Sequence, residues 1–448
     1  MSLKINIIGT GYVGLISGVC LSKKGHDVTC FDDNEKIVNS LNKAIPTIYE
    51  KNLEEELKEV IRRRKFRAVV PNSSISLIDC DVVLIAVGTP TKKNKIDLSY
   101  IKNVSAQIGL ELKNSNKFVS VIIKSTVIPS TTDTIVKKII ENKSGKTLGE
   151  FGLGMNPEFL REGNAMEDFM NPDRIVIGHE DSKTESLMKK MYKPWGCDKI
   201  FVNSRTAEMI KYVNNSLLAT QISTVNEYSN ISNKIGDIDF KSVMNAVHLD
   251  SRWSPILSNG DRIRPKIIDY LIPGAGFGGS CFPKDIKALS SLAKSVNVKS
   301  RILNSVIEVN KDQPKHVVER LKEQILTLKE KKILILGLSF KPDTDDIRES
   351  ISLKLIKLLL RESASVYATD PISIQKVKKN FDSLEINFIE DWQNYLGESD
   401  IVVLATSWPQ YIKITSPRNK SLLEKKIIFD CRNFLSKEDF PKSTFLNF

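Results

Sequence analysis

The 448-residue sequence predicts an α/β protein: two doubly wound domains joined by a long central helix and a small helical domain. Three observations carry that prediction. The length exceeds what one hydrophobic core organises, so two or three domains are expected. A short apolar strand running into a turn and a helical stretch occurs twice, at residues 5–8 and 332–337. In the same register, Asp81-Val-Val-Leu-Ile-Ala86 is echoed by Asp400-Ile-Val-Val-Leu-Ala405. Between the two halves, residues 206–232 hold neither Pro nor Gly, and Ile210, Val213, Leu217 and Val225 recur as on one helix face. At 1.5 Å per residue that helix would span roughly 40 Å, enough to bridge domains or form a dimer interface. The expected boundaries are 1–205, 206–310 and 311–448.

Composition excludes several classes of function. The apolar fraction of 41% and charged fraction of 27% are those of an ordinary soluble protein. No apolar run reaches the ~18 residues of a membrane span, and the N-terminus lacks a signal-peptide pattern, so a cytoplasmic protein without membrane contact is expected. Six cysteines show no CxxC pairing and four histidines are scattered, which argues against a disulfide framework or a metal site. The net charge of +12 comes mainly from dispersed lysine. No basic face with interleaved aromatics appears, so nucleic acid is not expected as a partner. The positive balance suits a small anionic ligand such as a nucleotide.

In the first domain, Ile5-Asn-Ile-Ile8 leads at once into Gly9-Thr-Gly-Tyr-Val-Gly14 and a helical run, and the next strand, residues 27–31, ends at Asp32. A bare GxGxxG is weak evidence. Placed between strand and helix, with an acidic residue closing the next strand, it reads as a dinucleotide site. The glycines admit a pyrophosphate to the helix N-terminus, and Asp32, or Asp33 in its place, would hold the ribose hydroxyls and favour NAD over NADP. Strands at 82–87 and 118–123 run into the polar turns Gly88-Thr-Pro-Thr91 and Lys124-Ser-Thr-Val127. Ligand contacts in an open parallel sheet come from such turns, which places Thr89 and Thr126 near the cofactor or a water. Next, Met155-Asn-Pro-Glu-Phe-Leu-Arg-Glu-Gly163 carries two carboxylates four apart. If helical, Glu158 and Glu162 share a face suited to acid–base work; the spacing fits a solvated helix start equally well.

On the central helix, Lys211 and Asn215 also lie four apart, where an ammonium and an amide would hold an oxygen gaining negative charge. From the residues alone, a surface pair is the simpler reading. Residues 249–272 mix turn signals with Arg252, Arg262 and Arg264, a loop offering cations to phosphate or carboxylate. That loop runs into Pro273-Gly-Ala-Gly-Phe-Gly-Gly-Ser-Cys-Phe-Pro-Lys-Asp285. A lone cysteine is usually a buried structural residue. Here the glycines ahead of Cys281, with Lys284 and Asp285 behind it, favour a nucleophile at the start of a helix, with Asp285 one turn on.

The last domain begins with a helix expected from Pro314 to Leu328 and the strand at 332–337. The turn after that strand, through Lys341-Pro-Asp-Thr-Asp-Asp-Ile-Arg348, lacks the second and third fingerprint glycines. This half therefore keeps the sheet without the dinucleotide fingerprint and binds something other than NAD, with Lys341 and Arg348 where phosphates would lie.

Taken together, residues 276–285, 156–163 and 341–348 make the chain resemble the UDP-glucose/GDP-mannose dehydrogenase family over nearly its whole length, nearest its UDP-glucose 6-dehydrogenase branch. The resemblance implies two Rossmann-like domains, a homodimer through the long helix, and oxidation of a nucleotide sugar's C6 alcohol to a carboxylate with release of two NADH. Cys281 would capture the aldehyde as a thiohemiacetal and carry the later thioester, while Lys211 and Asn215 stabilise the oxyanion. Asp285 would activate water, with Thr126 and Glu162 ordering it and Glu158 a competing base. Gly9, Gly11, Tyr12, Val13, Gly14, Asp32, Lys36, Thr89, Thr126, Glu162 and Arg348 would hold NAD. Glu158, Phe159, Leu160, Arg161, Lys211, Asn215, Arg262, Phe277, Gly278 and Lys341 would hold the sugar nucleotide. One segment departs from the pattern: the usual short Arg-Ile-Gly link is longer here, with Arg264 at the glycine's place. GDP-mannose or a UDP-N-acetylhexosamine is the alternative substrate. A single-step hydroxyacid dehydrogenase of the 6-phosphogluconate type would need neither the cysteine nor the second α/β domain.

Overall fold

In the computed structural model, which describes residues 2–71, 77, 79–92 and 95–448, the chain divides into two compact units, Met1–Asn214 and Asn215–Phe448. Each is built on its own sheet. The first unit holds β1 (Lys4–Ile8), β2 (Asp27–Phe31), β3 (Phe66–Val69), β4 (Val82–Ile85), a hairpin of β5 (Thr91–Lys92) and β6 (Lys95–Ile96), then β7 (Ser120–Ile123), β8 (Gly152–Met155), β9 (Arg174–His179) and β10 (Asp198–Val202). Apart from the hairpin they form one sheet in the order β10-β9-β8-β7-β4-β1-β2-β3, parallel except where β8 meets β9. The order reverses at β1, so the turns after β1 and β4 flank the switch point where such sheets take ligands.

The central strands β1, β4, β7 and β8 are buried almost throughout because both faces are covered. Successive side chains alternate between layers: Ile5, Ile7, Val82 and Leu84 pack with Leu15 and Val19, whereas Ile8, Val83 and Ile85 pack with Ile101 and Ile108. The helix Tyr12–Lys23 is buried from Gly14 to Ser22, as its apolar sequence demands.

The second unit repeats the plan with β11 (Lys332–Leu336), β12 (Ser365–Thr369), β13 (Asn387–Phe388), β14 (Ile401–Leu404), β15 (Ile427–Asp430) and β16 (Thr444–Asn447). All are parallel, in the order β13-β12-β11-β14-β15-β16. The long helix is Ser204–Ile235, 32 residues, or about 48 Å.

Two expectations fail locally. Residues 156–161 are irregular rather than helical, so Glu158 and Glu162 are not brought onto one helix face. Pro157 explains this, because proline disfavours the α conformation in the residue before it. The helix expected to begin at Pro314 begins at Arg301 and runs to Ile325, with the proline inside it. A proline reads naturally as a first helical position; here the buried Val306, Asn310, Val317 and Leu321 hold one helix across it.

Candidate active site

The turn after β1 is forced by packing. Gly9 has φ +94°, and a Cβ there would lie 2.9 Å from the Ala86 carbonyl oxygen; at Gly14 a Cβ would lie 1.9 Å from the Gly9 oxygen. Gly11 differs, because a Cβ there meets nothing within 4 Å. Its open side lies at the start of helix Tyr12–Lys23, which has no side-chain cap and no acidic residue in its first turn. Those free amide N–H groups and the unfilled space at Gly11 fit a pyrophosphate. Asp32, half-buried at the end of β2, accepts from the Thr10 amide (3.0 Å) and hydroxyl (2.5 Å), which ties it to this turn; Asp33 is exposed. Lys36 is exposed in the helix Glu35–Asn42. Thr89 and Thr126, from the turns after β4 and β7, meet through a hydrogen bond from the Thr89 hydroxyl to the Thr126 carbonyl (2.9 Å). These residues fit NAD.

Val13 is half-buried beside Tyr12, whose hydroxyl is committed elsewhere. It donates to Glu50 and accepts from the Gly163 amide (3.1 Å), while Glu50 also takes the amides of Gly163 and Ala165 at 2.8 Å each. Burial, then Glu50, push the Tyr12 phenol far up. Glu50, which the motifs do not touch, thereby pins the turn holding Glu162 and Gly163 to the dinucleotide helix.

The first unit also buries an ion pair. Lys211 Nζ donates to Glu158 Oε1 at 3.1 Å, both side chains under 10% exposed, and the Glu158 Oε2 accepts from the Leu160 amide at 2.6 Å. Lys211 is therefore not the surface residue that its spacing suggests. Burial acts to raise the Glu158 carboxyl, but the Lys211 charge, the Leu160 amide and Lys124 outweigh it and hold it below the ordinary glutamate value. The Phe159 ring is within cation–π reach of both Lys211 (5.4 Å) and Arg174 (4.2 Å). Arg161 pairs through Nε and its terminal nitrogen with Asp168 (3.0 and 2.6 Å) and stays half-exposed.

In the second unit, the glycine cluster is shaped by what it packs on. At Gly276, φ +99°, a Cβ would strike Asn310 Oδ1 at 2.5 Å; at Gly278 it would strike the Glu349 oxygen at 2.5 Å. The Asn310 amide holds both backbone groups of Phe277 (2.7 and 3.0 Å), and the Gly279 amide donates to the Arg348 carbonyl (2.9 Å). The loop thus leans on the turn carrying Lys341 and Arg348. Lys341 sits 5.6 Å over the Phe340 ring, and Arg348 pairs with Asp346 through two bonds of 2.8 and 2.9 Å while largely exposed.

Cys281 occupies the N-cap position of the helix Phe282–Ser295, with Pro283 in the first turn. A helix start favours negative charge on such a sulfur. The Asp285 amide closes the turn onto the Cys281 carbonyl (2.9 Å). Its carboxylate, 1% exposed, accepts from Asn215 Nδ2 and Lys284 Nζ at 2.7 Å each. So Asn215 is buried as well, against the carboxylate the sequence singles out. Arg262 is spent within its own loop, one terminal nitrogen donating to the Leu249 (2.6 Å) and Ser254 (3.0 Å) carbonyls, and Arg264 pairs with Asp269 (2.7 Å). Asn310, Glu50, Lys124 and Asn156 are the site residues that motif reading gave no role. The last two lie inside strings already singled out; the others are signalled by nothing local.

Residues 3–196 match the model of the UDP-glucose/GDP-mannose dehydrogenase family NAD binding domain, 205–312 its central domain and 334–437 its UDP binding domain. UDP-glucose 6-dehydrogenase of Rickettsia conorii is 37% identical, covering 99% of this chain and 98% of that protein. TuaD of Bacillus subtilis, also a UDP-glucose 6-dehydrogenase, is 35% identical over 99% and 92%. Among solved structures, a UDP-glucose dehydrogenase from Pyrobaculum islandicum superposes with a TM-score of 0.89 at 33% identity, covering 100% and 98%. Cap5O of Staphylococcus aureus, a UDP-N-acetyl-mannosamine dehydrogenase, reaches 0.78 at 26% identity, covering 99% and 98%. Fold and site define an NAD-dependent dehydrogenase built on two α/β domains. The chain belongs to the UDP-glucose/GDP-mannose dehydrogenase family.

Proposed function

We propose that this enzyme oxidises UDP-glucose at C6 to UDP-glucuronate, through a thiohemiacetal and then a thioester on Cys281. The balance is one alcohol, one water and two NAD giving one carboxylate, two NADH and three protons. NAD, when bound, supplies the hydride acceptor for both oxidations. Gly9, Gly11, Val13, Gly14, Asp32 and Thr89 would hold it in the first unit. Lys36, Glu162 and Arg348 are outer contacts.

The chain's own residues do the remainder. Lys211 and the Asn215 amide stabilise the oxygen that becomes negative when the Cys281 sulfur adds to the aldehyde carbon. Loss of hydride from that carbon leaves the thioester, and Asp285 takes a proton from the water that attacks it. The C–S bond then breaks and the thiol is restored. Glu158 balances the Lys211 charge and is the competing base; Thr126 and Glu162 order the water. Phe159, Leu160, Arg161, Phe277, Gly278 and Lys341 hold the sugar nucleotide, and Arg262 shapes its own loop. Two copies pair through the helix Ser204–Ile235, which exposes Leu217, Tyr228, Ile231 and Ile235 at more than half of their surface each. Light scattering at twice the chain mass tests that pairing.

The observation that carries this reading is Cys281 at a helix start with a buried carboxylate, Asp285, one turn on and held by Asn215. A single-step dehydrogenase has no use for that pair. The test is stoichiometric: limiting UDP-glucose with excess NAD yields two NADH per sugar. Cys281→Ser binds NAD normally but does not complete the four-electron oxidation. Full turnover by that variant overturns the covalent route. Absence of NADH with UDP-glucose moves the substrate to a UDP-N-acetylhexosamine or GDP-mannose.

A further inference from the structure

Lys124 stands one residue past β7 with its side chain buried. It forms no ion pair among the described residues. Its Nζ donates to the neutral Asn156 Oδ1 at 2.8 Å and lies 5.5 Å from the centre of the Phe169 ring. Two charged groups act on it: Glu158 favours its charge and Lys211 opposes it. Of the two charged groups that act on Lys124, one is a carboxylate and the other a second buried ammonium. A buried ammonium with no carboxylate partner is costly, and a residue needed only for shape would be apolar. Burial, with Lys211 adding to it against Glu158, brings the Lys124 ammonium down to about 8.

Asn156 shows where that charge is applied. Its Oδ1 accepts from both Lys124 and the Tyr192 hydroxyl (2.5 Å), its Nδ2 donates to the Val176 carbonyl (2.7 Å), and its amide donates to the Ile123 carbonyl (2.8 Å). Asn156 is therefore fixed on every side, and Pro157 and Glu158 follow it directly. The neighbouring Tyr192 phenol is driven up by burial and stays neutral beside Asn156.

We propose that Lys124 is a positioning residue of the dehydrogenase reaction: through Asn156 it fixes the turn that presents Glu158 to Lys211, and its charge adds to that of Lys211 toward an anionic reacting oxygen. The proposal rests on the reading of Lys211 as the oxyanion-stabilising ammonium. Loss of the Lys124 proton removes the extra charge, so turnover declines as pH rises through about 8.

The experiment compares full-length wild type, Lys124→Met and Lys124→Arg, measuring kcat and KM for UDP-glucose and NAD between about pH 6 and 10. Lys124→Met should lower kcat roughly tenfold or more with both KM values within about threefold, and lose the inflection near 8. Lys124→Arg should recover part of kcat and carry no inflection in that range, since arginine does not titrate there. Tyr192→Phe, which removes the other donor to Asn156 and no charge, should keep the inflection. A soluble Lys124→Met with wild-type kcat and an unmoved inflection overturns the proposal. A substrate-independent readout covers a variant that does not fold: lysine side-chain NMR of the wild type should show a signal titrating near 8 that Lys124→Arg lacks. Lysines that all titrate near 10.5 overturn it. A fully active Lys211→Met instead refutes the oxyanion reading, whatever Lys124 does.

Discussion

The turns after β1 and β11 start from the same backbone and end as different devices. Both strands pair with two neighbours in matching register, Ile8 with Phe31 and Ile85, Leu336 with Thr369 and Leu404. Both turns open on a glycine with left-handed φ, +94° at Gly9 and +100° at Gly337. Both are faced by an aspartate closing the next strand. In the first unit that aspartate, Asp32, is half-buried and takes one residue of the turn, leaving Gly11 open and the helix N-terminus free. In the second unit Asp370 is buried: one oxygen accepts from the Leu338 and Ser339 amides, the Ser339 hydroxyl and Trp408 Nε1, the other from the Ile372 and Ser373 amides. The position proposed to hold a ribose in one sheet is a structural pin in the other. A shared fold does not carry a shared ligand; the donors aimed at one carboxylate decide it.

The comparison breaks first at those aspartates. Asp370→Ala strands several buried donors and should cost roughly 4 kcal/mol or more, read as a lower denaturant midpoint or insoluble protein. Asp32→Ala should change stability by about 1 kcal/mol while raising the NAD dissociation constant about tenfold or more, measured by calorimetric titration. Equal destabilisation by the two would end the argument; unchanged NAD affinity would pass the role to Asp33. Gly11→Ala sharpens the same point at smaller scale. Since a Cβ there meets no atom within 4 Å, stability should hold within about 0.5 kcal/mol, yet NAD affinity should fall. Gly337→Ala, whose Cβ would sit 2.3 Å from Thr406 Cβ, should instead destabilise without touching NAD.

Much of this was legible in the chain, for identifiable reasons. The strands at 5–8, 82–87 and 332–337 are found within two residues of their reading, because buried parallel strands are nearly continuous apolar runs bounded by turns. Cys281 and Asp285 were legible because a helix start fixes residues four apart without outside help. Lys211 and Asn215 were not, since helical spacing gives their mutual face but not what covers it; burial depends on Glu158 and Asp285, 53 and 70 residues away. Glu50 left no local trace, as its three partners are Tyr12, Gly163 and Ala165. The irregular 156–161 stretch was signalled by Pro157, while the conditional helical reading of Glu158 and Glu162 rested on spacing alone.

The smallest expected effect lies where the first two strands of each sheet begin. In the first unit the gap between β1 and β2 is closed by a titratable side chain: the Leu3 amide donates to His26 Nδ1 (3.2 Å), and His26 Nε2 donates to the Met191 carbonyl (3.0 Å). Both gaps carry a backbone bond, Asp27 to Leu3 (2.9 Å) in the first unit and Ser365 to Lys331 (2.9 Å) in the second, where a further backbone bond, Glu330 to Ser363 (2.8 Å), stands in place of the histidine. Burial holds the His26 imidazole below its ordinary 6.5, against the pull of the Met191 carbonyl, and Nδ1 must stay unprotonated to accept. The neutral ring is thus fully stabilising above 6.5. As pH falls below that value the unfolded chain takes up a proton that the folded ring refuses, so stability declines toward the folded pKa, at no more than about 1.4 kcal/mol per pH unit. Hydrogen exchange at pH 7 and at about pH 5.5 should therefore show β1 and β2 amides opening more readily in acid, with β11 and β12 lacking this contribution. His26→Gln should flatten the difference at a fixed cost in stability. An acid response in β1 that survives the substitution would assign it to another group, and the two strand pairs would then begin in equivalent ways.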